Sequence, residues 1–60
     1  MAYAIELVDA SRNGALELYH DTETGFFIIR DYLYNQTTLF QLESEALNQF
    51  EAWIDELHLD

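Results

Sequence analysis

Two glycines are the only strong punctuation in this chain, which has no proline. Gly14 follows Asn13, and both residues tolerate positive φ, so Asn13-Gly14 predicts a hairpin turn. Gly25 closes the run Asp21-Thr22-Glu23-Thr24-Gly25. There the aspartate can start a type I turn and the glycine can take the left-handed position that ends it. Asn35-Gln36 is a weaker third turn pair. These turns delimit four strands, over 3–9, 15–20, 26–34 and 37–42, rich in Tyr, Phe, Ile, Leu and Val.

Ser44 reads as a helix N-cap with Glu45 in the first turn. Leu47, Phe50, Ile54 and Leu57 then recur at helical spacing, with Ala46 and Trp53 beside them, which predicts one amphipathic helix over 45–58. The order is β-β-β-β-α. A two-residue turn at Asn35-Gln36, a four-residue loop before the strand over 26–34 and the first hairpin at Asn13-Gly14 gather Ile5, Leu7, Leu16, Leu18, Phe27, Ile29, Leu33, Phe40 and Leu42 on one sheet face. That face should pack under the helix, giving a two-layer α+β fold: a four-stranded antiparallel meander with the helix on one face. The opposite face collects Val8, Tyr19, Phe26, Ile28, Tyr32, Tyr34 and Leu39, with Glu6, Glu17 and Arg30 among them. One helix covers one face, so this aromatic surface is expected to be a contact surface rather than a solvated one.

Residues 1–60 make a single domain, and a chain this short buries only about 60% of the surface its unfolded form exposes. There is no cysteine, so disulfides and thiolate metal sites are excluded. Nine aromatic residues supply a core and argue against disorder. The N-terminal residues have neither a basic segment nor a long apolar run, so the expectation is a cytoplasmic protein with no membrane partner.

Charge is the second constraint. Twelve carboxylates face two cations, Arg12 and Arg30, and no lysine, for a formal net charge of −10. Ordinary domains mix both signs to limit self-repulsion. Glu51 and Asp55 stand four apart on one helix edge and repel, with Glu45 and Glu56 along the other. Asp55, Glu56 and Asp60 crowd the helix C-terminus, where the backbone dipole already disfavours anions. Local stability would prefer lysine there, so the acidity points outward, to a strongly basic partner. Self-repulsion also predicts that many folded-state carboxylate pKa values are raised and that salt stabilises the fold.

Catalytic patterns are lacking. There is no nucleophile–base grouping in recognisable context, no glycine-rich phosphate loop and no lysine for a Schiff base, so no enzyme and no cofactor are expected. His20, Asp21 and Glu23 at a hairpin tip, or His58 with Asp60, match no structural metal pattern.

Carboxylates spaced along a rigid scaffold can imitate the phosphates of a nucleic acid, whose charge dominates its affinity for proteins. In its twelve carboxylates, absent lysine and hairpin-plus-helix layout the chain resembles the small acidic phage-encoded inhibitors, anti-CRISPR and anti-restriction proteins among them. That resemblance implies a binding inhibitor, in the cytoplasm of a bacterial host, that occupies a basic nucleic-acid-binding site on a defence nuclease or surveillance complex without touching nucleic acid itself. Glu45, Glu51, Asp55 and Glu56 are the first candidate phosphate surrogates, Glu6, Glu17 and Glu43 the second, and Tyr32 and Tyr34 candidate anchors. A monomer is favoured, because ten negative charges per subunit oppose a homodimer unless salt screens them. The competing reading is an antitoxin-like or dimeric interaction module that uses the aromatic outer sheet face through Phe26, Ile28 and Tyr32.

Overall fold

The computed structural model describes residues 4–58; Tyr3, where the first strand was expected to begin, and Asp60 lie outside them. Strands β1 (Ile5–Ala10), β2 (Leu16–Asp21), β3 (Phe27–Asp31) and β4 (Gln36–Phe40) form one antiparallel sheet in the order β1-β2-β3-β4, followed by helix α1 (Glu43–Leu57). This is the expected α+β meander with one C-terminal helix. Among the described residues α1 packs on β2, β3 and β4 and makes no contact with β1.

The β2–β3 loop forms as its sequence dictates. Asp21 Oδ1 accepts from the backbone N–H of Glu23 at 2.9 Å and of Thr24 at 3.3 Å. Gly25 takes φ 82° and donates its N–H to the Asp21 carbonyl. The β1–β2 loop is held from inside. Ser11 is buried; its hydroxyl donates to Asn13 Oδ1 and accepts from the Leu16 N–H, while Asn13 Oδ1 also accepts from the Ala15 N–H.

Three expectations need correction. First, a β-bulge interrupts the β1–β2 register between Leu7 and Asp9. Asp9 pairs with Leu18, as a turn at Asn13-Gly14 requires, but beyond the bulge Leu7 pairs with Tyr19 and Ile5 with Asp21. One extra residue reverses the alternation. Ile5 and Leu7 therefore leave the helix side for the outer face, and Glu6, opposite His20, moves to the helix side. All of β1 is exposed.

Second, β3 ends at Asp31 rather than at residue 34. Asp31 Oδ1 accepts from the N–H groups of Leu33 and Tyr34, which curls the chain into a four-residue turn, Tyr32–Asn35, with Asn35 at φ 53°. Asp31 then pairs with Gln36 and Ile29 with Thr38, where a two-residue turn would have paired Ile29 with Leu42. The slip is four residues, an even number, so the two faces keep their identities while Leu33 and Leu42 leave the core, both more than half exposed.

Third, α1 starts before Ser44. Leu42 is the N-cap, with φ −115°, ψ 136° and no side-chain capping bond.

The core consists of Ala15, Leu16, Leu18, Phe27, Ile29, Ala46 and Phe50, with Phe40, Leu47, Trp53, Ile54 and Leu57 packed around it. Each fully buried large side chain contributes about 1.5–3 kcal/mol relative to exposure. Leu16, Leu18, Ile29 and Phe50 are the ones fully enclosed. They lie on β2, β3 and α1, the three elements at the centre of the fold.

Candidate functional site

Cross-strand pairing defines the outer face row by row. Leu7 pairs with Tyr19, Tyr19 with Ile28, and Ile28 with Leu39, giving one apolar row across all four strands. The adjacent row is Ala10, Glu17, Arg30 and Thr37. Its charged groups are tied locally. Tyr19 Oη and Tyr32 Oη both donate to Glu17 Oε1, the latter at 2.8 Å. The Arg30 guanidinium donates to Thr37 Oγ1 at 2.8 Å and Asn35 Oδ1 at 2.7 Å, and lies 5.2 Å from the centroid of the Tyr32 ring.

These bonds set the titration of the face. The Tyr19 hydroxyl, then that of Tyr32, hold the Glu17 carboxyl below its ordinary value. The same bond to Glu17 pushes Tyr19 well up, because a phenolate beside this carboxylate would lose its proton bridge. Asp21 is also held down, chiefly by the Glu23 N–H. Self-repulsion predicts raised carboxylates; at Glu17 and Asp21 local hydrogen bonding wins over it.

The helix side carries different chemistry. Glu43, Glu45, Glu51, Asp55 and Glu56 are all exposed, and no basic residue stands in the last turn. A 15-residue helix is roughly 22 Å long, so these five carboxylates fall one per about 4–5 Å of axis. One strand of duplex DNA carries a charge per about 3.4 Å. Glu6, turned by the bulge to lie opposite His20, and Asp9, opposite Leu18, point to this same side, which α1 leaves uncovered over β1.

The candidate residues thus divide. Glu6, Glu43, Glu45, Glu51, Asp55 and Glu56 belong to the helix side. Glu17 and Tyr32 belong to the outer face and are joined to each other, which separates Glu17 from the other carboxylates. Tyr34 sits with Tyr32 in the β3–β4 turn, both exposed. Sequence reasoning missed Asp9, although the hairpin register alone puts it opposite Leu18, and placed Leu7 in the core, because nothing in the local sequence signals the bulge at Val8.

Among the described residues no three His, Asp or Glu side chains are arranged to hold a metal ion, and no pocket is present. His20 stacks on Phe27, ring centroids 4.3 Å apart. No helix is long and apolar enough to cross a membrane. Comparison with family models, with curated proteins and with solved structures finds no match for this chain.

Proposed function

We propose that the protein is an acidic binding inhibitor that occupies a basic nucleic-acid-binding site on a host protein, in the manner of a nucleic-acid mimic. The observation that carries this reading is the carboxylate array of the helix side. Five exposed acids line α1 without a basic residue in its last turn, and β1 carries Glu6 and Asp9 on the same side of the sheet. Acids kept at a helix C-terminus cost stability on the order of 0.3–1 kcal/mol each before screening, a cost that a role in binding accounts for. Binding of this kind associates quickly and weakens with salt.

The test is capture from bacterial lysate on the immobilised protein, with nuclease treatment, followed by elution with duplex DNA. The reading requires a nucleic-acid-binding protein that duplex DNA releases, and capture that falls steeply as salt rises. Captured protein that neither DNA nor salt releases would count against it.

A second reading is favoured by the row Leu7-Tyr19-Ile28-Leu39: an interaction module that works through the outer face. It needs those side chains and tolerates neutral helix residues, so the two readings part on substitution.

A further inference from the structure

The three turns of the sheet share one device. Asp21 Oδ1 accepts from the N–H groups of Glu23 and Thr24, and Asp31 Oδ1 from those of Leu33 and Tyr34. In the β1–β2 loop Asn13 Oδ1 does the same work, accepting from the Ala15 N–H at 3.0 Å and the Ser11 hydroxyl at 2.9 Å. A side-chain oxygen that bonds the backbone two residues on holds a turn whether it belongs to aspartate or to asparagine. Two of these turns use a carboxylate and one a carboxamide. Among the described residues every bond of the Asn13 side chain runs through Oδ1, so this loop does not depend on the carboxamide nitrogen.

Asn13 is also the asparagine that glycine follows; Asn35 and Asn48 are each followed by glutamine. The backbone nitrogen of the next residue can attack an asparagine Cγ, and a side chain on that residue hinders the approach. At Gly14 no heavy atom beyond the chain neighbours lies within 4 Å of where a Cβ would stand, and both residues of the pair are exposed. The folded loop nonetheless ties down both reacting groups. The Gly14 N–H donates to the Ser11 carbonyl at 3.0 Å, and two donors hold Asn13 Oδ1. Ser11 is fixed in turn: it is buried, its N–H donates to the Leu16 carbonyl, and its hydroxyl accepts from the Leu16 N–H.

We propose that Asn13-Gly14 is a spontaneous deamidation site that the fold holds shut, and that the turn accepts the aspartate it yields. The Gly14 nitrogen bonds to Asn13 Cγ, and its proton leaves with the carboxamide nitrogen as ammonia. Solvent water then opens the cyclic imide. Cleavage of the new C–N bond leaves aspartate, and cleavage of the original peptide bond leaves isoaspartate. The net change is water consumed and ammonia released, with nothing oxidised or reduced. Ring closure requires the Gly14 N–H and Asn13 Oδ1 to leave their partners, so the reaction proceeds from the opened loop or the unfolded chain. Aspartate restores the acceptor at the same atom, and its charge strengthens both bonds. Isoaspartate lengthens the backbone and does not restore it. The modification adds one negative charge to a net charge of −10, and it stands independently of the acidic-side reading.

The test incubates the unmodified chain at mildly alkaline pH, in native buffer and in guanidinium chloride, and follows each asparagine by tandem mass spectrometry. In the denatured chain conversion should concentrate at Asn13, with Asn35 and Asn48 as internal controls that change little. In the folded chain conversion at Asn13 should be at least about tenfold slower, since only opened molecules react. Asn13→Asp, melted beside the parent, should keep its circular dichroism and its Tm to within about 6 °C. Equal rates in folded and denatured chains would overturn the gate, and conversion spread evenly over the three asparagines would overturn the site. A larger fall in Tm for Asn13→Asp would overturn the claim that the turn accepts the product.

Discussion

Tyr32 Oη donates to Glu17 Oε1 across 2.8 Å, so the first residue of the β3–β4 turn is tied to β2 over the top of β3. Tyr19 donates to the same oxygen. Both bonds favour the ionised carboxylate, and the Glu17 pKa is lowered in the fold. A lowered pKa contributes stability above the unfolded value, about 4.3 for glutamate, and loses it as pH falls through the folded value. The wild type should therefore exceed Glu17→Gln in melting temperature at pH 7, and the gap should close below about pH 4. Tyr19 has the opposite sign: its raised pKa contributes stability below the ordinary tyrosine value, about 10, that is lost at higher pH. Melting curves of the two proteins across pH check both statements; a gap constant with pH would remove the assigned role of the Glu17 charge.

Phe50 is 1% exposed and joins the helix to the sheet core. Truncation to alanine should cost about 3–5 kcal/mol. For a domain of this size that is a fall of more than about 12 °C in Tm, or loss of the fold. Leu42→Ala, at a position 57% exposed, should cost little. Thermal unfolding of the two variants side by side is the measurement, and equal effects would contradict the core described.

How far the sequence carries is clearest at these positions. Phe50, Leu16, Leu18 and Ile29 were legible as core from periodicity and from the Asp21–Gly25 loop, because burial constrains them from both layers. Ile5 and Leu7 were misplaced, since a bulge is an insertion in pairing that no residue type at Val8 announces. Leu33 and Leu42 were misplaced by a turn in which Asp31 caps the backbone more effectively than Asn35-Gln36 turns it. The helix carboxylates were legible as exposed from their spacing. Glu17 was legible on the outer face; that Glu6 joins the helix side follows only from the bulged register.

Leu42 caps α1 in extended geometry without a side-chain bond. Leu42→Ser supplies a hydroxyl for the free N–H groups of the first turn and should stabilise the protein by about 0.5–2 kcal/mol. A higher Tm is the expected reading; an unchanged or lower Tm would mean that the Leu42 side chain contributes packing that its exposure does not suggest.

The helix charges make their own contribution to stability. Glu51 and Asp55 repel at i,i+4, and Asp55 opposes the helix dipole, so Asp55→Lys should stabilise by about 0.5–1 kcal/mol at low salt. Melting at two salt concentrations checks it: the gain should shrink as salt screens the repulsion, and a loss of stability would contradict the repulsion argued for this edge.

The most direct measurement of the central claim is a titration of the captured partner with two variants. One neutralises the helix side, Glu6→Gln, Asp9→Asn, Glu51→Gln, Asp55→Asn and Glu56→Gln; the other removes the exposed aromatics, Tyr32→Ala and Tyr34→Ala. A nucleic-acid mimic predicts that the neutralised protein folds at least as stably as the parent, binds more weakly through slower association, and has a flatter salt dependence, while the tyrosine variant keeps the steep one. Parent-like binding by the neutralised protein, together with failure of the tyrosine variant, would contradict the claim and move the contact to the aromatic turn and outer face.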